Sequence, residues 1–107
     1  MINLTSQERS LLHDVAGLLV SFWYLRYAQK DQYLVTQLTT DSILNTVLHS
    51  GVGHSEEFAF AVWYAAVEIE ESSDLITLMN SMMISNHLGV NLLGQEIKNK
   101  LRERKIW

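Results

Sequence analysis

Four histidines, His13, His49, His54 and His87, are the first residues in this sequence to test for chemistry. His49 and His54 flank Gly51-Val52-Gly53, and Glu56 and Glu57 follow closely, so a site of two imidazoles and one carboxylate can be drawn. The spacing matches no specific metal pattern such as HExxH. Histidines at helix ends more commonly bond free backbone groups or face water. His13 and Asp14 are adjacent, so on a helix they point about 100° apart and form no oriented pair. No serine lies in a GxSxG turn, and Gly51-Val52-Gly53 lacks the lysine of a phosphate loop. The absence of cysteine removes thiolate metal sites, disulfides and cysteine nucleophiles together. Paired carboxylates exist, but on a strip expected to face water, without the burial that tunes a general acid. The expectation is therefore no catalytic residue, no metal ligand, no cofactor, no small-molecule substrate and no enzyme.

Charge layout is more informative. Between Lys30 and Lys98 there is no lysine or arginine, while nine acids occur: Asp31, Asp41, Glu56, Glu57, Glu68, Glu70, Glu71, Asp74 and Glu96. An ordinary surface mixes both signs. Such a stretch is either a solvated face that aids solubility or a surface for a cationic partner, since complementary charge speeds encounter and selects partners. Conversely, five of the last ten residues are basic and one is acidic. That helix could touch phosphates, although basic residues also gather at helix C-termini to complement the dipole. Residues 1 to 97 carry three basic and eleven acidic groups, which disfavours nucleic acid over most of the surface.

The elements that must position these groups read as helices throughout. The chain has 107 residues, 48% hydrophobic and 19% charged, with no proline. That suits one helical domain spanning residues 1–107, large enough for a core without staples. Thr5-Ser6-Gln7-Glu8 forms a capping box, after which Leu11, Leu12, Val15, Leu18, Leu19, Phe22 and Trp23 recur at helical steps to about Gln29. Gln32 to Leu38 is a short helix or irregular connector. Thr40 caps a second helix, with Ile43, Leu44, Val47 and Leu48 inward, that stops at Gly51-Val52-Gly53. Ser55 caps a third helix reaching Glu71, and Ser73 or Asp74 a fourth with Leu75, Leu78, Met79 and Met82 inward. After a turn at Ser85-Asn86-His87, a last helix carries Val90, Leu93, Ile97 and Leu101 on one stripe. The expectation is an all-α compact bundle or short HEAT-like stack of about five to six helices.

Projected at about 100° per residue, the third helix shows one apolar face of Phe58, Val62, Ala65 and Ile69 and a second of Phe60, Trp63 and Val67. Between them runs a strip of Glu57, Tyr64, Glu68 and Glu71. A helix apolar on two sides is expected to be covered on both, with an acidic edge in water. Most aromatics are expected in the core, with Tyr24, Tyr27 and Tyr64 able to serve half-wet at an interface. The most apolar run, Val15 to Leu25, is 11 residues against the ~20 a spanning helix needs. With no secretory cleavage pattern after it, the cytoplasm is the expected compartment.

Two resemblances complete the reading. Thr40-Asp41 and Ser73-Asp74 begin helical hairpins 33 residues apart, and His54 and His87 keep that offset. Residues 40 to 105 thus resemble a pair of HEAT-like hairpins, without the usual proline and aspartate–arginine signatures. In size, acidity, lack of cysteine and helical character the chain resembles bacterial immunity proteins of toxin–immunity systems. That resemblance implies tight one-to-one binding to a cognate basic toxin, such as a nuclease, whose groove is occluded. The patch expected to do this is Glu57, Glu68, Glu70, Glu71 and Asp74, with Tyr64 as the aromatic anchor. The alternative is a regulatory or scaffold domain that uses its basic C-terminal helix on nucleic acid or a membrane surface.

Overall fold

The computed structural model describes residues 5–24, 45, 55–71 and 74–106. These form four helices: α1 (Ser6–Trp23), α2 (Glu56–Glu71), α3 (Leu75–Met83) and α4 (Leu88–Glu103). No strand occurs among the described residues. The all-α expectation holds, but the described helices number four, so the count of five to six is not supported. The expected connector over residues 32–38, the helix from Thr40, its glycine stop, and the extension of the first helix to Gln29 lie outside the described residues.

Each helix start is set by a local side chain. In α1 the Glu8 N–H donates to Thr5 Oγ1 and the Thr5 N–H donates to Glu8 Oε1, both at 3.0 Å, so the capping box is complete. Ser55 Oγ accepts from the Phe58 N–H at 3.2 Å at the head of α2. Asp74, rather than Ser73, caps α3. His87 caps α4, its Nδ1 accepting from the Val90 N–H at 3.2 Å. The far end of α4 closes with the Ile106 N–H on Leu101 O (2.9 Å) and the Lys105 N–H on Arg102 O (3.0 Å). This is a Schellman stop with lysine, φ 58°, where glycine is usual. It folds Ile106 back against the core.

Helix α4 is the hub and touches the other three. Its stripe of Val90, Leu93, Ile97 and Leu101 is buried as expected, facing Leu12, Val15 and Leu19 of α1, Phe58, Val62 and Ile69 of α2, and Leu75, Met79 and Met82 of α3 in one core. Two glycines let backbones meet there. A Cβ on Gly89 would strike the backbone carbonyl of Glu57, and one on Gly94 would lie 2.9 Å from the Met82 Cβ. A side chain at either position would push α4 off α2 or α3.

The two-sided burial expected for α2 is not found. Phe58, Ala61, Val62, Ala65, Ala66 and Ile69 are buried, but Phe60 is 43% and Trp63 52% exposed. The buried residues cluster on one side of the helix projection, so its contacts with α1, α3 and α4 all fall there.

Candidate recognition face on the second helix

The outer side of α2 follows from helical geometry. At about 100° per residue, Phe60, Trp63 and Val67 fall in the same arc as Glu56, Glu70 and Glu71. Phe60 is its centre: its ring lies 6.0 Å from Trp63, 6.1 Å and nearly parallel to Tyr64, and 4.6 Å from the His87 imidazole. Glu56, Glu70 and Glu71 are exposed and Glu68 is half-buried beside them. The result is an aromatic strip bordered by carboxylates.

The sequence-derived residues divide within this setting. Glu68, Glu70 and Glu71 keep exposed or half-exposed positions on α2, and Tyr64 is half-buried with its ring on the core. Glu57 is committed inward: its side chain is 17% exposed, its Oε2 accepts from the Gly89 N–H at 3.3 Å, and the same oxygen lies 3.1 Å from His87 Nδ1. Asp74 is exposed, but Oδ1 takes the Thr77 N–H (3.0 Å) and Oδ2 the Thr77 hydroxyl (2.7 Å). These hydrogen bonds, the backbone one foremost, hold its carboxyl below the usual range. Glu57 and Asp74 are thus already engaged within the fold.

Sequence reasoning missed Phe60, Trp63 and His87. The signal was available for the first two. An arc that also holds three glutamates faces water, so aromatics within it are exposed. For His87 the projection of α2 gave no sign, because it belongs to another element.

A further carboxylate behaves unlike the rest. Glu8 is 1% exposed and joins two helices, with the Ser55 N–H donating to its Oε2 at 2.6 Å in addition to its role in the α1 capping box. Burial pushes its carboxyl up, but the bonds from Thr5 and Ser55 outweigh burial and hold it below its ordinary value.

Two cations of the C-terminal helix, Lys100 and Arg104, turn toward α1. Arg104 donates from Nη1 to Ser21 Oγ at 2.8 Å and from Nη2 to Gly17 O at 3.4 Å. The Lys100 side chain is mostly buried, runs along Gly17, and has its ammonium 3.7 Å from Glu103. A cavity of about 380 Å³ beside them is lined, among the described residues, by Ser21, Tyr24, Arg104 and Ile106. His13 Nδ1 lies 2.8 Å from Glu96 Oε2, joining α1 to α4, whereas His49 and His54 lie outside the described residues. Among the described residues no three of histidine, aspartate or glutamate gather as metal ligands do, and no helix is long and apolar enough to cross a membrane.

No protein-family model matches the chain, and neither a curated protein nor a solved structure matches it.

Proposed function

We propose that the chain is a protein-binding inhibitor that recognises a partner with a basic surface through the outer face of α2. The specific form of this function is that of an immunity protein, which occludes the groove of a cognate basic toxin such as a nuclease. The observation that carries the reading is the exposure of Phe60 and Trp63 among Glu56, Glu68, Glu70 and Glu71. Contiguous exposed aromatics mark interaction sites, and tryptophan and tyrosine are frequent anchors of binding energy. Carboxylates around them favour a cationic partner and repel nucleic acid. The aromatic faces also suit lysine or arginine, which they attract through the ring quadrupole. Tyr64 remains part of the anchor beside Phe60, while Glu57 becomes a support of the face and Asp74 the cap of α3, rather than contacts. Phosphate recognition by the basic C-terminal helix has less support, because two of its five cations, Lys100 and Arg104, are engaged with α1 or with their own helix.

The test is affinity for a cognate basic protein identified in the native cell, measured at two salt concentrations. Glu68→Lys with Glu71→Lys should weaken binding and flatten its salt dependence, and Trp63→Ala should weaken it without changing that dependence. If all three substitutions leave affinity and salt response as they were, the face is misassigned.

A further inference from the structure

His87 holds a position that no single protonation state satisfies. Its Nδ1 lies 3.2 Å from the Val90 N–H, which it accepts as the N-cap of α4, and 3.1 Å from Glu57 Oε2 on α2. Accepting from Val90 requires a bare lone pair on that nitrogen. Donating to the Glu57 carboxylate requires a proton on it. The neutral ring with its proton on Nε2 caps α4, whereas a ring with a proton on Nδ1, as the imidazolium must have, bonds α2, each at the expense of the other contact. Its surroundings make the choice simple. Glu57 is the charged group in ion-pair reach of it among the described residues. Helix α3 carries no charged side chain, the preceding turn offers Ser85 Oγ to the His87 N–H, and the next charged group along α4 is Glu96. The ring is 28% exposed, so protons reach it, and Phe60 of the recognition face rests on it at 4.6 Å.

We infer that His87 is a proton-operated switch beneath the outer face of α2, releasing the first turn of α4 and weakening the hold on a basic partner when it gains its charge. The part concerning the partner rests on the function proposed above; the switch itself does not. Protonation places a positive charge at the positive end of the α4 dipole and frees the Val90 N–H, so the α4 cap loosens. It also neutralises Glu57 by pairing and puts a cation under Phe60, within a face otherwise rich in carboxylates. Histidine is the side chain that ordinarily changes charge between about pH 5 and 8.

Amide NMR of the full chain between about pH 7.5 and about pH 5.5 tests the switch without any partner. The Val90 amide should shift in step with the His87 imidazole, and its exchange protection should fall roughly five-fold, the factor of one lost N-cap. His87→Asn, which caps without titrating, should hold both constant, and His13→Gln removes the other described imidazole–carboxylate pair as a source of the signal. An oligoarginine peptide should bind the native chain more tightly at the higher pH and the His87→Asn chain equally at both. A Val90 amide that stays still through the imidazole titration, or moves the same way in His87→Asn, overturns the switch. If Val90 responds as expected but the peptide binds at neither pH, the switch stands and the reading of the face as a docking surface falls.

Discussion

The two sides of α2 both carry large apolar side chains, and these have opposite fates. Phe58, Val62, Ala65 and Ile69 are sealed by α1, α3 and α4, while Phe60 and Trp63, two to five residues from Phe58, remain half in water. Burial is decided by where neighbours lie, and among the described residues the packed helices lie on one side. An aromatic side chain on the covered side contributes to stability, and one on the open side is available for recognition. The contrast extends to carboxylates. Glu8 is enclosed and bonded by two helix starts, whereas Glu70 and Glu71 project from the open face.

The sharpest way to break this contrast is a truncation on the sealed side. Phe58→Ala should cost about 3–5 kcal/mol of unfolding free energy, as large-to-small changes at buried aromatics do, measured by urea denaturation. Gly89→Ala comes next. Its methyl would meet the Glu57 carbonyl, so a loss of about 1–3 kcal/mol is expected, and a stable variant with native packing would show that α2 and α4 are further apart than described.

Glu8→Gln should cost about 1–3 kcal/mol at neutral pH, since an amide nitrogen replaces an acceptor of a backbone N–H. The pH dependence has a definite sign. The folded carboxyl lies below its unfolded value of about 4.3, so its contribution is complete above that value and is lost as pH falls through the folded one. Native and Glu8→Gln stabilities should therefore converge on acidification; a gap that persists in strong acid would mean the charge of Glu8 is not what joins the helices. At the small end, Glu71→Lys on the open face should change stability by no more than about 0.5 kcal/mol.

Much of the frame was legible in the order of residues. The Thr5–Glu8 box, the Ser55 cap and the Val90–Leu101 stripe depend on contacts a few residues apart, and spacing reports those directly. The fate of α2's second apolar face did not follow, because periodicity defines faces without stating how many neighbours arrive to cover them. Glu57 was read as an open carboxylate because its partners, His87 and Gly89, belong to another helix and meet it only through the close approach that Gly89 allows. The same holds for Arg104, whose acceptor Ser21 is 83 residues away. Local capping chemistry is readable in one dimension; the choice between an inward and an outward carboxylate is a property of packing.

The central claim is that the Phe60–Trp63 side of α2 is a surface and not a core. Urea unfolding of the Phe60→Ser, Trp63→Ser double variant addresses it most directly. The account predicts a stability within about 1 kcal/mol of the native chain, the scale of two surface substitutions. A loss of about 3–5 kcal/mol or more, as expected of buried aromatics, would contradict it and remove the recognition face.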